Sequence, residues 1–353
     1  MTHPRFTASQ VKSFFEKRLH IPKDGRSHHT VVFHDIDLPP SFLSGLQALN
    51  GTQVHVIDAK NEADQTRLLN DIRAEGESYL SIHDFLSSTI YDQDKNARDY
   101  IKKHSNGDYT CFEFPRTELD HGKSLELIAR YVLSDPIEEQ NFADAFFNLL
   151  LTQPDYTVEI LSGPDREHRL TVIGTAPWME LCGPLLEGDL RFAPGSELFY
   201  NSTSVEGSFY CAGALNLLPI RGMDIDEAYC QQLLDWGRRL PHEPIVMKLE
   251  KGTLLDINGT GKLCKDLAPL MFMPDYNTLV EVGIGLMRSA LPFIYDWASP
   301  SNEGAPGVHL GFGADPGNIL SATTSIHMDF VNPDTEIIVN GEQFFANGRF
   351  AAS

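Results

Sequence analysis

Basic residues and cysteines are scarce in this 353-residue chain. It has 28 Lys and Arg residues against 49 Asp and Glu residues, which gives a formal net charge of -21 at pH 7. Because like charges repel, this excess of acid argues against binding to nucleic acid or to an anionic membrane surface. The five cysteines are scattered and form no CxxC pair, a pattern typical of reduced thiols in the cytoplasm.

Long apolar runs are also absent. No segment approaches the roughly 18–20 apolar residues that a membrane helix needs. The N-terminal segment lacks the charged and then apolar order of a secretory signal. We therefore expect a cytoplasmic protein with no membrane partner. The composition, 42% hydrophobic and 22% charged, is that of a globular chain long enough for two domains.

The first part of the chain alternates helical and strand patterns. HTVVFHDI and TQVHVIDA each predict a strand, and PSFLSGLQALN between them predicts a helix. This order with short links indicates a right-handed βαβ unit. We predict an α/β domain with an open, largely parallel sheet over residues 1–154. No G-x-G-x-x-G follows either strand, so we predict no active role and no cofactor-binding residues at the ends of these strands.

Beyond residue 154 the pattern changes to short β-branched segments separated by Gly, Asn and Pro turns. PIVMKLEKGTLLDIN predicts a hairpin, and two NG turns flank the short strand in VNGEQFFANG. A helix is predicted around DIDEAYCQQLLDWGRRL. We therefore predict a β-rich α+β domain over residues 155–353, and this domain carries the residues that could bind metal.

Five acidic and imidazole side chains lie in Gly-rich, apolar or β-like segments of this domain. They are Glu197 in FAPGSELFY, Glu281 in TLVEVGIGLM, His309 in GVHLGFGADPG, and His327 and Asp329 in TTSIHMDFV. Each costs a few kcal/mol there unless it is paired or bound. Singly, Glu197 is explained as a turn residue and His309 as a hydrogen-bonded core histidine, whereas Glu281 needs a cation, a donor network or a raised pKa. Strict alternation puts the H-x-D pair on one face of a strand, either as metal ligands or as the solvated face of an edge strand.

Taken together, two histidines and three carboxylates can hold two metal ions, with one carboxylate bridging them. Two ions roughly 3.5–4 Å apart polarise a carbonyl group and lower the pKa of a bridging water. The glycines in GIG and GFG would let the backbone pass close to such ions.

The motifs PGSELF, VEVGIG, VHLGFG, SIHMDFV and VNGEQFFANGRF, in this order, resemble those of the thermophilic leucyl aminopeptidases of the aminopeptidase T type. The resemblance covers residues 155–353 and, more loosely, the first half. It implies a homodimer with two divalent ions of zinc, manganese or cobalt, and a peptide or small amide as substrate. It also implies that the metal ligands are Glu197, Glu281, His309, His327 and Asp329. Glu281 would bridge the two ions and also serve the attacking water.

Two alternatives stay open. The peptidases carry a catalytic tyrosine seven residues after the third-motif histidine, where this chain has Pro316, which favours a non-catalytic protein that binds a peptide or small ligand. The 2,5-dihydroxypyridine dioxygenases are similar in these motifs but hold a single Fe(II) with two histidines and one carboxylate. The dioxygenases have histidine where this chain has Glu281. This chain keeps the glutamate and also keeps His309, and both features favour a metal-dependent hydrolase.

Overall fold

The structure is a computed structural model. It describes residues 6–18, 28–34, 38–58, 78–85, 109–115, 124–174, 177–182, 190–192, 197–200, 204–219, 227–274, 276–293, 295, 302–313 and 326–351.

Helices and strands follow one another along these ranges. The helices are α1 (Ala8–Arg18), α2 (Pro40–Gln47), α3 (Ser124–Val132), α4 (Pro136–Leu150), α5 (Glu227–Arg239) and α6 (Lys262–Met271). The strands are β1 (His28–His34), β2 (Gln53–Asp58), β3 (Ser78–Phe85), β4 (Tyr109–Pro115), β5 (Tyr156–Ser162), β6 (His168–Gly174), β7 (Met179–Glu180), β8 (Leu190–Phe192), β9 (Glu197–Tyr200), β10 (Val205–Cys211), β11 (Ala214–Pro219), β12 (Ile245–Glu250), β13 (Thr253–Gly259), β14 (Leu279–Gly285), β15 (Gly307–Gly313), β16 (Ile326–Asn332), β17 (Thr335–Val339), β18 (Glu342–Ala346) and β19 (Arg349–Phe350). In the described part of the chain, no helix is both long and apolar enough to cross a membrane.

The chain divides into two compact units. The first comprises Met1–Glu138 and Gly183–Gly195, and the second comprises Glu139–Cys182 and Ser196–Ser353. The domain boundary that the sequence predicts near residue 154 lies within the second unit.

The first unit contains a five-stranded sheet in the order β2-β1-β3-β4-β8. All four strand pairs are parallel. The helix between β1 and β2 buries Phe42 against Phe15 of α1, with the ring centroids 5.9 Å apart. The predicted strand, helix and strand of the βαβ unit are thus confirmed.

The second unit contains two antiparallel sheets. One has eight strands in the order β13-β12-β10-β6-β5-β17-β18-β19, and the other has six in the order β11-β16-β15-β14-β9-β7. The β12–β13 hairpin and helix α5 lie where the sequence predicts them. Both NG turns are present too, with Asn340 and Asn347 at a φ of 52°, the left-handed conformation that such turns require. The whole chain is therefore a mixed α+β fold.

Both antiparallel sheets contribute side chains to one hydrophobic core. Val158 and Val172 come from the eight-stranded sheet, and Val282, Leu310 and Phe330 come from the six-stranded sheet. All five are fully buried. Helices α4, α5 and α6 also pack into this cluster. One face of the six-stranded sheet is therefore buried in the core. The other face carries the polar side chains described next.

Candidate metal centre

The H-x-D pair lies on an interior strand. Strand β16 is hydrogen-bonded between β11 and β15, and all seven of its residues are buried. His327 and Asp329 are 2% and 0% exposed, so they do not form the solvated face of an edge strand. Their neighbours Met328 and Phe330 belong to the hydrophobic core.

Four adjacent strands, β9, β14, β15 and β16, bring the five predicted residues together. Residues paired across neighbouring antiparallel strands project to the same face of a sheet. Every predicted residue has a glycine as such a partner, which leaves open space beside its side chain. The pairs are Glu197–Gly285, Glu281–Gly311, His309–Gly283, His327–Gly313 and Asp329–Gly311.

The five side chains form two groups that share Glu281. Nε2 of His309 lies 3.4 Å from Oε2 of Glu197 and 3.3 Å from Oε1 of Glu281. Nε2 of His327 lies 2.9 Å from Oδ1 of Asp329 and 3.8 Å from Oε2 of Glu281. Each oxygen of the Glu281 carboxylate therefore faces a different imidazole. Within each group, the potential ligand atoms all lie within 4.8 Å of one another.

Several polar atoms of these groups are buried without a hydrogen-bond partner. Oδ2 of Asp329, Oε2 of Glu197 and Nδ1 of His309 are in this condition. A buried polar group with no partner costs about 1–3 kcal/mol, and more when it is charged. A bound cation would remove this cost for the carboxylates.

Burial and mutual repulsion also shift the acid-base properties of the groups. Burial raises the pKa of Glu197 to about 8; the nearby imidazole of His309 opposes this shift, whereas the carboxylates of Glu281 and Asp329 add to it. Burial alone would lower the pKa of His309, but its hydrogen bond to Glu281 and the surrounding carboxylates raise it to about 9. Both shifts reflect a shortage of positive charge among the buried carboxylates, which a bound cation would supply.

The glycines of the motifs are required by the packing of the ligands. A Cβ atom on Gly283 would lie 2.0 Å from Cε1 of His309. A Cβ atom on Gly311 would lie 2.9 Å from both Cβ of Glu281 and Cε1 of His327. The face of the sheet therefore accommodates the ligands only because these positions lack side chains.

These observations fit a pair of divalent ions. Zinc binds imidazole nitrogen and carboxylate oxygen at about 2.0–2.2 Å, so two ligands of one tetrahedral ion lie about 3.3–3.5 Å apart. The contacts within the two groups, from 2.9 to 3.8 Å, bracket this separation. Mixed nitrogen and oxygen donors suit zinc, manganese and cobalt.

A fourth acidic residue, Glu303, lies close to the groups and was not predicted from the sequence. Oε1 of Glu303 accepts a hydrogen bond of 3.0 Å from Nδ2 of Asn216, and Asn216 pairs with Asp329 across β11 and β16. Burial raises the pKa of Glu303 well above its ordinary value, and the charges of Asp329, Glu197 and Glu281 raise it further. In the sequence, SNEGAPG reads as an ordinary turn, so no local signal marks this residue.

Pro316, which stands where the peptidases carry a tyrosine, lies outside the described residues. Its predicted effect on catalysis therefore stays a prediction.

Comparisons with known proteins give a partial family match and two solved structures that align over nearly the whole chain. A family model described as "Crocagin biosynthetic protein CgnE/B" matches residues 200–340, which include four of the five predicted ligands. The structure of 2,5-dihydroxypyridine dioxygenase from Pseudomonas putida KT2440 is similar over 99% of both chains, with 15% identity and a TM-score of 0.57. AmpT from Thermus thermophilus is similar over 98% of both chains, with 12% identity and a TM-score of 0.48. A search of curated proteins gave no match.

The similarity to the dioxygenase covers the whole chain, so it concerns both units of the fold. At 15% identity it concerns the fold alone. The activity has to be argued from the side chains of this chain.

Proposed function

We propose that the protein is a hydrolase that uses two divalent metal ions and water to cleave a peptide or another small amide. The observation that carries the proposal is the position of Glu281. Its two carboxylate oxygens face two different imidazoles, each of which belongs to a separate group of potential ligands. A single-metal site of two imidazoles and one carboxylate would leave two of the three predicted carboxylates without a ligand role.

Each residue has a distinct role in this proposal. Glu197 and His309 would hold one ion, His327 and Asp329 would hold the other, and Glu281 would hold both. Two such ions polarise the substrate carbonyl and lower the pKa of a bound water. The almost complete burial of the other four side chains keeps them fixed and dry.

Glu281 is the most accessible of the five side chains. Its side chain is 14% exposed, against 9% for Glu197 and 1–3% for the other three. The substrate would therefore approach over Glu281. A carboxylate at the point of entry is positioned to accept a proton from the attacking water and to return it to the leaving amine.

The family description supports a role in biosynthesis. We accordingly propose that the substrate is a biosynthetic intermediate, and that the protein acts as a homodimer in the cytoplasm. Analytical ultracentrifugation of the purified protein would test the oligomeric state.

Metal content is the first test. The protein is purified without chelators under anaerobic conditions, and bound metals are measured by mass spectrometry. We expect about two ions of zinc, manganese or cobalt per chain. A single iron, with consumption of dioxygen in the presence of aromatic substrates, would favour the oxygenase. Absence of metal, with none taken up on titration, would favour a protein that only binds its ligand.

The variant Glu281→Gln tests the role of the shared carboxylate. The amide retains one ligand oxygen but cannot bridge two ions as a carboxylate does, and it cannot accept a proton at neutral pH. We expect amide hydrolysis to fall by at least about 100-fold and metal content to fall below that of the wild type. Glu206→Gln, an exposed carboxylate on β10, is the matched control. Full turnover and full metal content in Glu281→Gln would refute the proposal.

A further inference from the structure

Ionisable residues stand at the ends of three neighbouring strands in the parallel sheet of the first unit. Strand β1 lies between β2 and β3 and ends at His34. The register pairs His34 with Asp58, the last residue of β2, and with Asp84, next to the last residue of β3. The three residues therefore form one row across the sheet, with His34 in the middle.

The members of this row lie on the same face of the sheet. Residues in register on adjacent parallel strands share a face, and successive residues along a strand alternate between the two faces. The preceding row on the same face is apolar and consists of Val56, Val32 and Ile82. At the carboxyl ends of the strands, this face therefore changes abruptly from apolar to ionisable residues.

The row coincides with the point where the strand order reverses. The strands run in the order β2-β1-β3-β4, so β2 and β3 lie on opposite sides of β1. In open α/β sheets, ligands bind outside the carboxyl ends of the strands at such a point. The sequence alone predicts no active role here, because it shows neither the strand order nor the register that joins Asp84 to His34.

The spacing and chemistry of the row suit a metal ion. Adjacent strands lie about 4.7–4.9 Å apart, so the two aspartates flank the histidine at short range. Imidazole nitrogen and carboxylate oxygen are both ligands of divalent ions such as zinc and manganese. The two carboxylates balance the charge of one such ion. Three protein ligands also leave coordination positions to water or to an oxygen atom of a small ligand.

We propose that His34, Asp58 and Asp84 bind a divalent metal ion at the carboxyl end of the parallel sheet. This site lies within the first unit, whereas the five residues of the candidate metal centre belong to the second unit. The inference is independent of the proposed function, because none of its residues takes part in the proposed hydrolysis.

The first test counts manganese ions. The full chain is freed of metal with a chelator and titrated with Mn²⁺, and free Mn²⁺ is followed by electron paramagnetic resonance. We expect about three ions per chain, one more than a two-metal hydrolytic centre holds. The additional ion has three protein ligands and no carboxylate shared with a second ion. We therefore expect it to bind more weakly than the other two and to be lost during purification.

The variant His34→Gln removes the imidazole from the middle of the row. We expect it to bind the additional ion at least about tenfold more weakly than the wild type does. Asp84→Asn should have the same effect. His55→Gln is the matched control, because His55 is in register with Val31 and so lies on the other face of the sheet. This control should bind as much manganese as the wild type.

A crystal of the wild-type chain tests the position of the ion without any substitution. Grown with saturating Mn²⁺, it should give an anomalous difference peak at the end of β1. Absence of that peak would overturn the inference, and so would unchanged manganese binding in His34→Gln or an equal loss in His55→Gln. Asp329→Asn reports on the other centre. If it binds as many ions as the wild type, the proposed function fails, whatever the result for His34→Gln.

Discussion

Gly283 lies opposite His309 in the six-stranded sheet, where a Cβ atom would be 2.0 Å from the imidazole Cε1 and 2.1 Å from Nε2. Both residues are on paired interior strands, so their backbones cannot separate without breaking the ladder. The conflict would have to be relieved by moving the imidazole. The candidate metal centre therefore depends on the absence of a side chain at Gly283 as much as on the ligands themselves.

The variant Gly283→Ala should therefore lose the ion that Glu197 and His309 would hold under the proposed function. We expect zinc content to fall by about one ion per chain and the affinity of that site to fall by at least tenfold, since a metal ligand displaced from its geometry binds poorly. Metal content by mass spectrometry and competition with a chromogenic chelator would measure both quantities.

Val282→Ala is the matched control, because Val282 lies on the same strand but projects into the core. The cavity that this variant leaves should lower the free energy of unfolding by about 1–3 kcal/mol. Its metal content should stay complete. If Gly283→Ala binds as much zinc as Val282→Ala, then metal binding does not require the space that Gly283 leaves for the imidazole of His309.

At the scale of strands and helices, the alternation in SIHMDFV predicts which side chains share a face. The structure places His327 and Asp329 on one face of β16, and Met328 and Phe330 in the core on the other. The sequence does not predict that β16 is interior, because this depends on pairing with β11, more than a hundred residues earlier. Glu303 was missed for a related reason, since Asn216 of β11 is what brings it to the site.

A second long-range contact is made at the start of helix α6. Gly261 at the N-cap offers no side chain to the first turn. The carboxylate of Glu243 instead accepts a hydrogen bond of 2.7 Å from the amide of Leu263, and it is held by Arg239 at 2.9 and 3.1 Å. The hydrogen bond to Arg239, followed by that from Leu263, lowers the pKa of Glu243 to about 2.

The variant Glu243→Gln should melt at a lower temperature than the wild type at neutral pH. The folded-state pKa of about 2 is below the ordinary value of 4.5, so the contribution of Glu243 is complete above pH 4.5 and is lost as the pH falls towards 2. The difference in melting temperature should therefore shrink through this window. Circular dichroism melts of both proteins over the acid range would measure it.

Glu250→Gln, at an exposed position on β12, provides the comparison and should melt with the wild type at each pH. A difference between Glu243→Gln and the wild type that stays constant down to about pH 3 would show that the charge of Glu243 is not what stabilises α6.

The whole molecule carries a net charge of -21, and part of the acidic excess lies at the candidate metal centre. Four carboxylates, from Glu197, Glu281, Glu303 and Asp329, lie around two imidazoles. In the metal-free protein their repulsion opposes folding, because the unfolded chain separates the charges and hydrates them. Two bound divalent ions would bring positive charge to these carboxylates and so reduce the repulsion between them.

Metal ions should therefore stabilise the whole fold. A ligand that binds only the folded state adds about 2.7 kcal/mol at a free concentration about 100 times its Kd. We expect the melting temperature to fall by several degrees after chelation and to recover when zinc is added back, as measured by calorimetry at constant ionic strength. Constant ionic strength matters because added salt also screens the net charge of the molecule.

Asp329→Asn separates this effect from general screening. The substitution removes one buried carboxylate and leaves the charge on the molecular surface unchanged. Zinc should therefore raise the melting temperature of this variant far less than that of the wild type. Calcium, which prefers oxygen ligands alone, should stabilise the wild type less than zinc does, because each group contains an imidazole. An equal zinc effect in Asp329→Asn and the wild type would mean that the ions act on the net charge of the molecule and not at this centre.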